Sequence, residues 1–222
     1  MTLNRKLVKI TLVLLCLPLL HACGTVQKAQ YAAYEKVGVH KRDILVDRIE
    51  ATSDSQQKAQ ADFQSAYEEL AELIELPASE MDNQYKRLAK SVDRSEARSS
   101  ELKKRINAVD AVAQALFEEW QGELEQYTND RLRQSSANKL AITQQRYAKI
   151  HDSMVKSHAN IQPVLEVLQD NTLFLKHNLN ARAVSGLSSE VGAIGDQVKS
   201  LIAQMEASIA ESKAFMQQMN AG

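Results

Sequence analysis

Three groups of side chains in this sequence have the types and spacing to do chemistry. The first is a single thiol, Cys23, which closes an apolar run and has no cysteine after it. Cys16 lies inside the run, so beyond residue 23 no internal disulfide or cysteine-based zinc site can form. The second group is a pair of basic, polar segments. One is Gly38-Val39-His40-Lys41-Arg42-Asp43-Ile44-Leu45-Val46-Asp47-Arg48; the other is Phe174-Leu175-Lys176-His177-Asn178-Leu179-Asn180-Ala181-Arg182-Ala183. Both set His, Lys and Arg beside apolar residues. The second adds two asparagines, mediocre helix formers that need a local reason. His40, Lys41, Arg42, Lys176, His177, Asn178, Asn180 and Arg182 are therefore the candidate partner-binding residues, for a protein or an anionic wall component. Polar contacts between helices and a helix end before Gly186 account for them without a ligand. The third group is His151 and His158, seven apart on one helix face with Asp152 adjacent. Solvent-facing histidines are expected there rather than a metal site.

Other catalytic signatures are missing. No Gly-x4-Gly-Lys-Ser/Thr loop, His-Glu-x-x-His or Gly-x-Ser-x-Gly occurs. That removes the ATPase reading that long heptad repeats invite, and neither an enzyme nor a cofactor is expected. Lys+Arg 27 against Asp+Glu 28 leaves no basic field for nucleic acid.

The thiol has a context of its own. Arg5, Lys6 and Lys9 precede an apolar stretch at 10–20 that is too short to span a bilayer, which takes about 20 residues. Positive charge before a short apolar run reads as a signal peptide, 1–22. Leu20-His21-Ala22-Cys23 then resembles a lipobox: aliphatic Leu20, small Ala22 to admit the peptidase, and the thiol that accepts a diacylglyceryl group. The freed amine of Cys23 can be acylated as well, palmitate being the expected kind of chain. Each buried CH₂ adds about 0.8 kcal/mol, and two or more chains hold stably. Gly24, by resemblance to the sorting rule of Gram-negative lipoproteins, favours the outer membrane. Loss of 1–22 takes three bases and no acid, so 27 against 28 becomes 24 against 28. A mildly acidic chain gains nothing from anionic lipid, and the acyl chains must hold it.

Elements that could position the polar segments are plain in the hydrophobic spacing. Seven Gly, three Pro and 5% aromatics point to long helices. One seam runs Leu45, Ile49, Thr52, Gln56, Ala59, Phe63, Ala66, Leu70, Leu73, in alternating steps of four and three. Pro77 interrupts it, with Ser79 as the expected cap of the next helix. A second seam runs from Tyr85 through Leu102, Val109 and Trp120 to Leu124 and Tyr127, ending at Thr128-Asn129-Asp130. A third runs from Leu140 through Tyr147 and Met154 to Leu179. Pro163 either kinks it or starts a new helix capped by Asn160. The fourth runs from Val184 to Met219. Trp120 is expected in the core, and Glu118, Glu119, Glu123 and Glu125 on a solvated face. The spacing predicts an all-α, elongated antiparallel bundle or coiled coil of about four long helices at 41–222, joined to the anchor by a lipidated linker, 23–40. A first helical stretch from Val26 to Val37, ended by Gly38, lies within that linker. Gln56, Ser95, Ser99 and Ser157 on seam positions predict layers of modest packing that help fix register.

The two polar segments, with Met205-Glu206-Ala207-Ser208-Ile209-Ala210, also resemble the bacterial lipoproteins grouped as domain of unknown function 2959, over nearly all of the chain after Cys23. The resemblance implies an exported, helical, lipid-anchored product and supplies no catalytic residue. The expectation is a non-enzymatic envelope protein facing the periplasm, held to lipid through acylated Cys23, with an envelope protein or a second copy as its partner. The alternative is a module that holds an anionic ligand at the polar segments.

Overall fold

The computed structural model describes residues 40–180, 184 and 186–221. The expected signal peptide, Cys23, the Val26–Val37 stretch and Arg182 lie outside these. The chain separates by contacts into Met1–Ile44, of which only 40–44 are described, and Leu45–Gly222.

The described residues form five helices and no strand: α1 Lys41–Glu75, α2 Met81–Leu124, α3 Asp130–Ala159, α4 Ile161–His177 and α5 Ser188–Ala221. Within Leu45–Gly222 they pack as an all-α antiparallel bundle, α3 and α4 succeeding each other along one column. Residue contacts give the directions. Asp62 of α1 meets Arg94 and Arg98 of α2. Ser99 and Asp110 of α2 meet His158 and Tyr147 of α3. Among the described residues no helix is long and apolar enough to cross a membrane.

Every residue of the first seam is buried, from Leu45 and Ile49 at 0% exposure to Leu73 at 0%. The other seams close on it: Leu88, Leu102, Ile106 and Val109 from α2, Tyr147, Ile150 and Met154 from α3, Leu168 and Leu175 from α4, and Val191 to Phe215 from α5. Seam positions filled by Gln56, Ser95, Ser99 and Ser157 are buried too. α1 and α5 approach closely at Gly195, where a Cβ would stand 2.6 Å from the Tyr67 hydroxyl.

Helix ends correct the sequence expectations in several places. Ser79 does not cap α2; the helix starts at Met81 after Glu80, which offers no side-chain cap. The Glu80 N–H is taken by the Pro77 carbonyl at 2.9 Å, so the turn after proline uses the residues before the helix. α2 stops at Leu124, and Tyr127, placed by spacing in the seam, is 39% exposed. Asn129 then caps α3, accepting from the Arg131 and Leu132 amides. At Asn160 the third seam breaks into two helices, with Pro163 in the first turn of α4, where its missing N–H costs nothing. The Asn160 side chain does not cap α4 but bonds to Gln204 on α5.

Candidate functional site

The first polar segment opens α1. The His40 carbonyl accepts from the Asp43 and Ile44 amides, and the His40 amide donates to Asp43 Oδ2 at 3.4 Å. Asp43 in the first turn also suits the positive end of the helix. His40 is exposed and Lys41 and Arg42 are half-buried. This part of the segment thus has a local duty, starting a helix.

The second segment ends α4. Asn178 leaves helical geometry at φ −126, ψ 38. Its side chain donates to the Phe174 carbonyl at 2.9 Å and its amide to the Leu175 carbonyl. Asn180 donates its amide to the Asn178 carbonyl and accepts from the Val184 amide. Both asparagines therefore have the local reason their helix propensity demanded: they turn the chain between α4 and α5. Lys176 and His177 stand exposed in the last turn, where a cation complements the carbonyl end of the helix. Beside them Leu173 is 61% and Phe174 42% exposed, while Leu175 is buried. What remains for a partner is this end of α4, a basic and apolar patch. His40–Arg42 belong to the unit that ends at Ile44, and Lys176–Asn180 to the unit that begins at Leu45.

Polar constellations that the sequence reading missed lie between helices. Asp110 of α2 accepts the Tyr147 hydroxyl at 3.1 Å and Gln114 Nε2 at 2.8 Å, with His151 Nε2 3.8 Å away. The Tyr147 ring stacks on His151 and meets Phe117 edge-on at 5.5 Å and Phe215 at 6.4 Å. Burial first, then the Asp110 charge and hydrogen bond, push the Tyr147 phenol far above its ordinary value, so it stays a neutral donor. His158 is half-buried, with Nε2 3.1 Å from the Ser99 carbonyl. Burial lowers its pKa, nearby Lys103 lowers it further, and the Ser99 bond opposes both. The expectation of two solvent-facing histidines is thus corrected: both are drawn into the α2–α3 seam.

Gln56 is fully buried, and its Nε2 donates to Ser157 Oγ at 2.9 Å and Ser208 Oγ at 3.0 Å. One amide thereby ties α1 to α3 and α5, leaving its Oε1 without a partner. Ser208 and Ser212 on α5, and Asn171 on α4, fill seam positions that a strict heptad count would have pointed to. Either side of the Asn160–Gln204 bond runs an open groove between α3–α4 and α5. One stretch of about 360 Å³ is lined by Ser153, Lys156, Ser157 and Ala207, and one of about 270 Å³ by Pro163, Val167, Gln197 and Ser200.

Trp120 sits half-buried on its seam and donates to Ser136 Oγ at 2.8 Å, so its N–H is used inside the hairpin. Neither a curated protein nor a solved structure matches the chain. One family does: the sequence model of a protein family of unknown function, DUF2959, matches residues 30–219, and the chain belongs to that family.

Proposed function

We propose that this chain is a membrane-anchored periplasmic lipoprotein that works by contact rather than by catalysis. The observation that carries the reading is Leu20-His21-Ala22-Cys23 behind a positively charged start and a short apolar run, with no later cysteine. Acyl chains on Cys23 would fix one end to lipid, with Gly24 favouring the outer membrane. The helices beyond would offer side chains to an envelope partner. The contact reading draws support from the end of α4, where Lys176 and His177 are exposed beside exposed Leu173 and Phe174. Basic and apolar side chains together suit a protein partner better than water.

Fractionation tests the anchor. The native chain is expected in the membrane fraction, its first peptide carrying the mass of acyl chains on Cys23. Cys23→Ser is expected to release it to the soluble periplasm. A Cys23→Ser chain still wholly in the membrane fraction would overturn lipidation as the tether.

A second reading, an anionic ligand held at the polar segments, is favoured by the same exposed Lys176 and His177. Lys176→Glu would then abolish retention on an anionic polysaccharide column; unchanged retention would leave the protein-contact reading standing.

A further inference from the structure

We propose that the tip of the α2–α3 hairpin is a self-docking surface, on which two copies of this chain pair through Leu116 and Leu132, with Glu123 of one copy set against Lys139 of the other.

Helix geometry identifies the face. Residues 18 apart are five whole turns apart and point the same way. Leu116 repeats Arg98, which reaches Asp62 of α1 at 3.0 Å. Leu132 repeats Ile150, which shares a groove with Phe215 of α5. Lys139 repeats Ser157, which receives Gln56 from α1. All three therefore face the side on which α1 and α5 pack farther along the hairpin.

The described part of α5 does not reach that side at the tip. Phe215 stands beside Tyr147, and the six described residues after it carry α5 only about 9 Å farther. Leu132 lies fifteen residues from Tyr147 in the same direction, about 22 Å along α3. Leu132 is 52% exposed, and residues 131–135 are exposed throughout.

Charge selects the occupant. Residues 115–129 carry Glu118, Glu119, Glu123 and Glu125 and no base; 130–141 carry Arg131, Arg133 and Lys139 against Asp130. A partner of one sign would oppose one of the two helices. A second copy turned about a two-fold axis sets the acidic helix on the basic one at both crossings, the self-complementarity that an isologous contact requires. Four acids likewise disfavour an anionic lipid surface.

Size sets the strength. About twelve residues on each of two helices give a footprint on the order of 400 Å² per copy, half the roughly 800 Å² of a standard interface. The dimer is therefore weak in solution and gains from concentration. This deepens the contact reading above, since a shared membrane would raise the local concentration of tips.

The test uses the mature chain from residue 23 with Cys23→Ser, so that anchoring plays no part and either idea can fail alone. Sedimentation equilibrium from about 1 µM to about 1 mM is expected to show a reversible monomer and dimer. Leu132→Glu should leave monomer. Lys139→Glu should raise the dimer Kd by about tenfold or more, and adding Glu123→Lys should restore it. Circular dichroism checks that each variant stays helical. A chain that is monomeric across the range, or a dimer indifferent to Leu132→Glu and to the charge reversal, overturns the proposal.

Discussion

Ile150 and Leu132 occupy the same line of α3, five turns apart, yet Ile150 is 4% exposed and Leu132 52%. On α2, Leu102 and Trp120 stand in the same relation, fully buried in one case and half-buried in the other. The seam is continuous from Leu102 to Trp120, whereas Leu132 precedes the third seam, which begins at Leu140. What changes is the surroundings among the described residues: in the middle of the bundle α1 and α5 complete the core, and the described part of α5 does not reach the hairpin tip. A heptad seam states a direction, and burial needs a partner in that direction. The middle therefore buries its apolar side chains, and the tip leaves Leu132 open to another chain.

The sharpest way to break the contrast is to truncate one residue of each region. Leu102→Ala in the middle removes a fully buried side chain and should cost about 2–5 kcal/mol. Leu132→Ala should change the stability of the monomer by no more than about 0.5 kcal/mol. Urea unfolding of both variants gives the comparison directly; equal losses would show that the tip is as tightly built as the middle.

Glycines offer a second contrast. A Cβ at Gly195 would press on the Tyr67 ring, whereas at Gly122, near the tip, it would meet nothing within 4 Å. Gly122→Ala should stabilise the chain by about 0.5–1 kcal/mol through helix propensity alone. Gly195→Ala makes the same gain but forces Tyr67 aside, and overpacking of about 1–3 kcal/mol should turn the result into a net loss. Placing Gly195→Ala in a Tyr67→Leu background should restore the gain. A stabilised Gly195→Ala single variant would mean that Tyr67 swings out freely and that α1 and α5 are not held close.

The polar layer is a third, smaller handle on the middle. Gln56 gives two hydrogen bonds but keeps a buried oxygen unpaired, at a cost of about 1–3 kcal/mol. Gln56→Leu, similar in volume, should therefore raise stability by about 1 kcal/mol, as apolar replacements of buried polar groups often do. A loss of that size would show instead that the Ser157 and Ser208 hydroxyls depend on the amide.

Most of this architecture was legible in the sequence, for a physical reason. Four seams with few breakers leave little but a helical bundle, and each residue of the Leu45–Leu73 seam is buried as its spacing requires. Terminal details were less legible. Ser79 and Asn160 have good capping chemistry, but Pro77 and Gln204 decided which groups were bonded. The candidate site was legible only as composition. Two asparagines at 178 and 180 marked a place where helix had to end, and there they serve the turn. Asp110 on α2 lies 37 and 41 residues before Tyr147 and His151 on α3, so no local pattern announces their meeting. Heptad spacing places Tyr147 on a seam and is silent on which carboxylate faces it.

Smallest in effect, and most selective, is the response to pH. The middle and the tip each have a ring nitrogen joining α2 to α3: His158 to the Ser99 carbonyl in the middle, Trp120 to Ser136 Oγ at the tip. Only the first titrates. Burial and Lys103 depress the His158 pKa below its ordinary 6.5 in the folded chain. The unfolded chain then binds the proton more readily than the native one, so stability is complete above about pH 6.5 and declines as pH falls from there toward the folded pKa. His158→Gln, which can still donate to Ser99, should flatten that part of the profile. Hydrogen exchange resolves the location: between about pH 7.5 and 5, after correction for intrinsic exchange rates, protection should fall near Ser99 and His158 and hold near Trp120 and Ser136. A uniform fall along both helices would place the acid-sensitive group elsewhere and remove the distinction between middle and tip on this count.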